Sequence, residues 1–303
     1  MRSCAALLIA VLVLAGCGGG RPKAVRAEGL PGYVVETDGH KVYFNCEGKG
    51  SPTVVFLSGF GDDSSSWGSV FDESSQMTRS CKYDRDGLGL TGLFGSLPPK
   101  ARDAHDQVRE LEQLLENADL PKPYVLVGHS WGGALARLYA GTHDDVKAVV
   151  FVDSSTPGQD KALLDALPPE RAGEPSLFTE LRTVSTDPLQ NPENLDWRKS
   201  LDETGAVMSL GDRPEIVITA GSTFTGDAAI LFPVWSRLQN ELAGLSSRSV
   251  HVLAPTSAHY VQQDAPDVVM ASVRAAVNAV RDDGHLATCA AIFRHVADGT
   301  CLR

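Results

Sequence analysis

The chain has 303 residues, of which 43% are hydrophobic, and it carries a net charge of −11. This length is enough for one large α/β domain or two small ones, each with a substantial core. The acidic balance and the lack of a basic run argue against nucleic acid or a polybasic membrane contact as the main partner.

The first residues resemble an export signal. Arg2 gives a positive start, and the apolar run that follows, Ala5–Ala15, is too short for a membrane span. The run ends in the letters LAGC, which resemble the lipobox of a bacterial lipoprotein. By that resemblance residues 1–16 are a signal peptide, Cys17 carries lipid, and residues 17–30 form a tether. The chain is then exported and held at the cell membrane by this anchor only. An ordinary secretory signal, cut nearby, would also export it.

Export changes the meaning of the remaining cysteines. Cys4 leaves with the signal and Cys17 is assigned to lipid, so four of the six cysteines remain. An even number in an oxidising compartment predicts disulfides, with three pairings open. No C-x-x-C spacing occurs, so no zinc site is expected. The four residues are Cys46, Cys81, Cys289 and Cys301.

In chain order, apolar patterning predicts a hairpin followed by alternating strands and helices. Asp38-Gly39 is a strong hairpin turn. Predicted strands cover 32–36, 41–46, 53–57, 81–83, 124–127, 146–152, 215–220 and 249–254. Predicted helices cover 64–77, 101–118, 134–140, 232–245 and 266–281. This order implies a mostly parallel sheet covered on both faces.

Residues 156–212 interrupt this alternation. They contain many prolines and charges and lack a strand pattern, so they are predicted to be an inserted cap of short helices. The predicted core then comprises residues 31–155 and 213–281. The tail, 282–303, contains the last two cysteines.

A serine stands between a predicted strand and a predicted helix, in Gly128-His129-Ser130-Trp131-Gly132. This G-x-S-x-G pattern in that context is typical of a nucleophile elbow. Glycines are needed because the turn brings neighbouring backbone close. The helix N-terminus beneath the serine favours negative charge. The alternative interpretation is a plain strand-to-helix turn.

Together, these motifs resemble the α/β-hydrolase superfamily over residues 32–281. The resemblance implies the α/β-hydrolase fold, with a mostly parallel eight-stranded sheet, flanking helices and an inserted helical cap. Ser58 stands where the family usually has histidine, before the glycine of the first motif. The matching segments are Leu57–Gly61, Tyr83–Gly89, Gly128–Gly133, Asp153, Ser257–His259 and Asp264–Pro266.

The resemblance also implies roles. Ser130 is the expected nucleophile and His259 its base, because a free serine hydroxyl is a poor nucleophile at pH 7. His129 is the rival histidine, but its place in the elbow should point it away from Ser130. The backbone N–H groups of Phe60 and Trp131 are the expected oxyanion hole. Arg85 is expected to anchor its loop through backbone carbonyls.

The third member of the triad stays open between two carboxylates. In most of the superfamily the acid follows the strand at 215–220, where the first carboxylate, Asp227, comes late. Asp153 instead ends the preceding strand, as in the haloalkane dehalogenase branch of the superfamily. We favour Asp153, since a strand end fixes its position; its alternative role is a cap of the turn.

Two further expectations follow from the resemblance. The superfamily sheet places its second and fourth strands side by side, which supports a Cys46–Cys81 bridge and leaves Cys289–Cys301. The expected activity is hydrolysis of a small-molecule ester or related acyl bond through an acyl-enzyme, without cofactor or metal. Serine at the elbow argues against dehalogenase and epoxide hydrolase chemistry. The alternatives are a peptidase or amidase of the same fold, or a non-catalytic binding lipoprotein.

Overall fold

The computed structural model describes residues 23–37, 39–94, 100–183 and 191–303. The predicted signal peptide, Cys17 and the first part of the predicted tether lie outside these residues. None of the described helices is long and apolar enough to cross a membrane.

Ten strands of the described chain form one sheet in the order β1-β2-β3-β5-β4-β6-β7-β8-β9-β10. Strands β4 to β9 run parallel to one another, whereas β1, β2, β3 and β10 pair antiparallel with their neighbours. The strands are β1 (Val25–Arg26), β2 (Tyr33–Thr37), β3 (His40–Glu47), β4 (Thr53–Leu57), β5 (Ser80–Tyr83), β6 (Tyr124–His129), β7 (Val146–Val152), β8 (Glu215–Ala220), β9 (Ser249–Ala254) and β10 (Thr300–Cys301).

The eight predicted strands are present, and the structure adds a two-residue strand at each edge. β1 corrects the prediction of a tether up to residue 30. Val25 and Arg26 pair with Val34 and Tyr33, and Ala27 is buried. Two residues are too few to show an alternating pattern, so this strand could not be predicted from the sequence.

Helices cover both faces of the sheet. One apolar layer lies between the sheet and α2, α3 and α6; the other lies between the sheet and α1, α9 and α10. The helices are α1 (Gly68–Met77), α2 (Ala104–Asn117), α3 (Trp131–Thr142), α4 (Gln159–Ala166), α5 (Ser176–Thr183), α6 (Trp197–Thr204), α7 (Phe232–Leu242), α8 (Val261–Asp264), α9 (Pro266–Arg281) and α10 (Cys289–Ile292).

The central strands are apolar on both faces because both faces are covered. All five residues of β4 and all six of β6 are buried. The carboxyl ends of these strands, and the loops that follow them, are therefore held in fixed positions along one side of the sheet. Ligands of open α/β sheets bind beyond these carboxyl ends.

Between β7 and β8, the described residues form three α-helices of eight residues each, α4, α5 and α6. Leu163 of α4 and Phe178 of α5 share a small apolar cluster with Trp235 of α7. The described parts of the segment 156–212 are thus packed against the main domain over the carboxyl ends of the strands. We call this segment the cap.

The disulfide pairing that the resemblance implied is confirmed. Cys46 and Cys81 face each other across β3 and β5, with their Cα atoms 4.1 Å apart. Cys289 bonds Cys301 and so ties α10 to β10.

Candidate active site

Ser130 lies in the sharp turn between β6 and α3. Its backbone φ is 50°, a conformation that a non-glycine residue rarely adopts. A Cβ at Gly132 would overlap the carbonyl oxygen of Leu57, and one at Gly128 would lie 2.5 Å from the carbonyl oxygen of Gly132. The two glycines therefore let the turn pass close to β4, and the strained backbone is held by tight packing.

Asp153 follows directly after β7 and is fully buried. Its Oδ1 accepts hydrogen bonds from the Ala220 N–H at 3.0 Å and from Trp235 Nε1 at 2.7 Å. Its Oδ2 accepts from Thr223 Oγ1 at 2.9 Å and from His259 Nδ1 at 2.7 Å. Four donors thus compensate the burial of this carboxyl group.

Asp227 occupies a different environment. It lies in the 3₁₀ helix Gly226–Leu231, its side chain is 64% exposed, and it pairs with Arg171. Of the two carboxylates left open by the sequence, the structure brings only Asp153 to His259.

His259 lies in the loop between β9 and α8, and its side chain is 32% exposed. Because a carboxylate only accepts, Nδ1 carries the proton of the neutral ring and Nε2 is left as the basic atom. His259 and Ser130 line the same cavity. In the described part of the chain, no hydrogen bond joins Ser130 Oγ to His259; in ligand-free enzymes such bonds are often long and shorten on substrate binding.

His129, the rival histidine, is buried beneath this loop. Its Nε2 donates to the carbonyl oxygen of His259 at 2.9 Å, and its Nδ1 is 3.8 Å from Asp62 Oδ2. Burial holds the pKa of His129 well below its usual value, so the ring is neutral. The side chain supports the His259 loop and is not placed to act as the base.

The two expected oxyanion donors follow two neighbouring parallel strands, β4 and β6. Phe60 follows β4, and Trp131 is the first residue of α3. The Phe60 N–H donates to no other described backbone group, and Trp131, at the start of α3, has no preceding helical turn to which its N–H could donate. Both N–H groups are therefore candidates to bind a ligand oxygen.

Two buried residues, Arg85 and Glu193, hold the loop after β4, and the sequence analysis did not identify Glu193. Arg85 donates to the carbonyl oxygens of Ser58 and Gly59, as expected. It also pairs with Glu193, a fully buried residue of the cap. Arg85 and Glu193 are 108 positions apart, and no local pattern marks the glutamate.

A cavity of about 380 Å³ opens above Ser130 between the sheet and the cap. Leu163, Leu177 and other apolar residues form part of its wall. Asp62, Asp160 and Glu180 also line it, whereas the described lining contains no lysine or arginine. Burial raises the pKa of both Asp62 and Asp160. Two larger depressions, next to α9 and the tail, contain none of the predicted catalytic or oxyanion residues.

One cluster offers metal-ligand atoms: those of His40, Asp86 and Glu110 lie within 4.8 Å of one another. The guanidinium of Arg102 already lies among them, 2.7 Å from Glu110 Oε2 and 3.4 Å from Asp86 Oδ2. This buried cation supplies the positive charge that the carboxylates require. We therefore assign the cluster no metal.

Comparisons with known proteins agree with the fold. A sequence model of the alpha/beta hydrolase family matches residues 54–285. The uncharacterized protein YqjL of Bacillus subtilis (strain 168) is 28% identical over 225 residues, covering 74% of this chain and 82% of that protein. A haloalkane dehalogenase of Sphingobium indicum is 24% identical and covers 82% of this chain and 95% of its own length. The solved structure of a thermophilic esterase from Thermogutta terrifontis, with malate bound, superposes with a TM-score of 0.58 at 18% identity. It covers 88% of this chain and 100% of that chain, and at such identity it supports the fold alone.

Proposed function

The chain belongs to the alpha/beta hydrolase family, and on that premise we propose that it is a serine hydrolase that cleaves esters of small-molecule acids. The observation that carries the proposal is the 2.7 Å hydrogen bond between the buried carboxylate of Asp153 and His259 Nδ1. It leaves the opposite ring nitrogen available as a base in a cavity that Ser130 also lines.

In the proposed mechanism, His259 Nε2 takes the hydroxyl proton of Ser130 as Oγ attacks the ester carbonyl carbon. The carbonyl oxygen becomes an oxyanion and accepts from the N–H groups of Phe60 and Trp131. The C–O bond then breaks, the alcohol leaves with the proton from His259, and Ser130 is acylated. Water attacks the acyl-enzyme with His259 again as base, which releases the acid. Asp153 orients the ring and stabilises its charged form throughout.

Serine at position 130 supports acyl transfer over the reaction named for the dehalogenase relative. Displacement of halide by a serine oxygen would give an ether, which water does not readily cleave, and the enzyme would stop after one turnover. An acyl ester of serine is hydrolysed by the same base that formed it. Haloalkane chemistry is therefore not proposed for this chain.

The charge of the cavity points to a class of acyl group. With Asp62, Asp160 and Glu180 in its described wall, an acyl chain that ends in a carboxylate would meet like charge. We expect neutral acyl groups to react faster than anionic ones of equal length, by roughly tenfold, the size of an uncompensated charge interaction of about 1.4 kcal/mol.

The test is a panel of p-nitrophenyl esters of increasing acyl length, with a succinyl ester as the anionic match for the butyryl ester. Aminoacyl anilides in the same panel report peptidase or amidase activity. Ser130→Ala is the control, and we expect it to retain less than about one part in a thousand of the wild-type rate. Labelling of wild-type protein by a fluorophosphonate, located at Ser130 by mass spectrometry, separates an enzyme from a non-catalytic binding protein.

We also propose that the mature chain is exported and anchored through lipid on Cys17, which lies outside the described residues. Cys17→Ser is expected to release the protein from the membrane fraction or leave it as uncleaved precursor. A mature variant that stays membrane-bound would contradict the lipobox assignment.

A further inference from the structure

The Gly59–Phe60 peptide is fixed by a hydrogen bond on its far side. Arg85 Nη2 donates to the Gly59 carbonyl oxygen at 2.5 Å, and the peptide bond is trans. In a trans peptide the C=O and the following N–H point in opposite directions. The bond to Arg85 therefore directs the Phe60 N–H away from Arg85, to the side where Gly59 and Phe60 line the cavity.

The next peptide is fixed as well, by the partner of Arg85. The Gly61 N–H donates to Glu193 Oε1 at 2.8 Å, so the carbonyl of Phe60 is also held in one orientation. Glu193 binds Arg85 through both carboxylate oxygens, at 2.8 Å each. One ion pair thus determines the orientation of both peptide planes that flank Phe60.

The same glutamate reaches the other expected oxyanion donor. Gln107 Nε2 donates to Glu193 Oε2 at 2.7 Å, and Trp131 Nε1 donates to Gln107 Oε1 at 2.7 Å. All four side chains are nearly or completely buried. They form a buried network, and hydrogen bonds to charged groups are strong in such surroundings.

We infer that Arg85 and Glu193 are positioning residues that build the oxyanion hole by holding the Phe60 N–H toward the cavity, and that the cap supplies the essential half of this pair. The inference rests on the proposed serine hydrolase function. Its consequence is that catalysis depends on the cap through Glu193, 133 positions beyond Phe60 in the chain (193 − 60), in addition to any contact of the cap with substrate.

Glu193→Ala tests the inference. It removes the acceptor for Gly61, frees Arg85 from its partner and so lets the Gly59–Phe60 plane turn. Loss of one oxyanion donor typically lowers kcat by roughly 10²–10³-fold. We expect a fall in kcat of about 100-fold for p-nitrophenyl butyrate, with KM within about threefold of wild type, because the ground-state ester makes no full hydrogen bond to the hole.

The inhibition constant of a transition-state analogue separates loss of the oxyanion hole from a general loss of packing, which would not change it. Ser130 Oγ adds to the boron of butylboronic acid, and the hydroxyl proton of Ser130 passes to His259. One oxygen of the tetrahedral adduct then occupies the oxyanion hole. We expect its inhibition constant to rise in parallel with the fall in kcat. An inhibition constant that stays at the wild-type value would contradict the inference.

Glu110→Gln is the matched control, since it removes the charge from another buried pair, Arg102–Glu110. The hydrogen-bond partners of Glu110 are His40, Arg102 and the Asp86 N–H, none of them in residues 58–61, and a glutamine can still accept from Asp86. We expect its kcat to stay within about threefold of wild type. Equal losses in Glu110→Gln and Glu193→Ala would show a general effect of a broken ion pair and would overturn the inference.

Glu193→Gln covers the case in which the alanine variant does not fold. The amide can still accept from Gly61 but no longer carries the charge that holds Arg85, so we expect about a tenfold loss of kcat. A folded Glu193→Gln protein with wild-type kcat and boronate inhibition would overturn the inference while leaving Ser130 hydrolysis intact. Wild-type protein that neither hydrolyses esters nor reacts with fluorophosphonate would instead contradict the proposed function, and this inference with it.

Discussion

Two fully buried carboxylates stand at opposite ends of neighbouring strands, and their surroundings differ sharply. Asp153 follows the carboxyl end of β7 and accepts hydrogen bonds from four donors. Glu215 begins β8 and accepts from Ser249 Oγ at 3.0 Å. Its Oε2 has no hydrogen-bond partner among the described residues, and burial raises the pKa of Glu215 to about 7.

The comparison shows that burial alone does not decide what a carboxyl group can do. At the site end of the sheet, donors converge from β8, from the loop after it and from α7, and they compensate the desolvation of Asp153. At the other end, Ser249 is the one side-chain donor to Glu215 among the described residues, so burial dominates and raises the pKa of Glu215 to about 7. The two ends of the same sheet thus surround one buried carboxyl group, in the proposed active site, with four donors and give the other a single donor.

The largest expected effect is a loss of kcat on substitution of Asp153, at the carboxyl end of the sheet. Asp153→Asn keeps the shape of the side chain but presents an amide N–H or a weaker acceptor to His259, so the ring is no longer held in the required tautomer. We expect kcat to fall by about 10⁴-fold, the scale of such changes in serine hydrolase triads. Ester hydrolysis at saturating substrate measures it, with circular dichroism to confirm folding.

Asp227→Asn is the matched control for that variant, because it neutralises the exposed carboxylate that the sequence left as the alternative. We expect a loss below tenfold. A larger loss of kcat in Asp227→Asn than in Asp153→Asn would identify Asp227 as the triad acid. The hydrogen bonds around Asp153 would then not explain which carboxylate acts with His259.

A second, smaller effect concerns stability at the other end. A pKa of about 7 in the fold, against the ordinary 4.5, means that the buried group holds its proton between these values while the unfolded chain has lost it. The contribution of Glu215 to stability is therefore complete below about pH 4.5 and is lost as pH rises to about 7. The difference amounts to about 3 kcal/mol.

Glu215→Gln should remove this dependence. We expect the variant to match wild type in urea unfolding at pH 5 within about 1 kcal/mol, and to be more stable by about 3 kcal/mol at pH 8. In the difference between the two proteins, the contributions of the other titrating groups to the free energy of unfolding cancel. Parallel pH profiles would mean that Glu215 is charged in the fold and that the two ends do not differ in this way.

The smallest expected effect is a loss of kcat when Asp153 loses one of its four hydrogen-bond donors and so becomes less well compensated, as Glu215 is. Trp235→Phe deletes the 2.7 Å hydrogen bond from Nε1 and leaves three donors. A hydrogen bond to a charged group contributes about 1.5–3 kcal/mol, part of which the remaining donors and a water can replace. We expect kcat to fall by about tenfold, with a small decrease in Tm. A loss as large as that of Asp153→Asn would show that this single donor, not the set of four, maintains the carboxylate.

Much of this arrangement follows from local sequence. The apolar runs predicted all eight long strands, and the glycines around Ser130 predicted the turn, because both depend on residues that are close together in the chain. The Cys46–Cys81 pairing came from the resemblance, which supplied the strand order that local patterns lack.

The remaining features depend on contacts between distant segments. Glu193 meets Arg85 only when the cap folds over the β4 loop, and Trp235 meets Asp153 only when α7 packs on the sheet. A buried glutamate in a polar segment looks the same in sequence as a solvated one. The sequence therefore predicted the members of the candidate site better than the residues that hold them in place.

The two-residue strand β10 has a consequence for how copies of the protein behave toward one another. Thr300 and Cys301 cover the backbone of Leu253 and Val252 on β9, and the Cys289–Cys301 bond keeps them there. An uncovered strand edge is a template for pairing with the edge of another molecule. Reduction of this bond would expose β9, so the protein should remain monodisperse in oxidising buffer and self-associate slowly in a strong reductant.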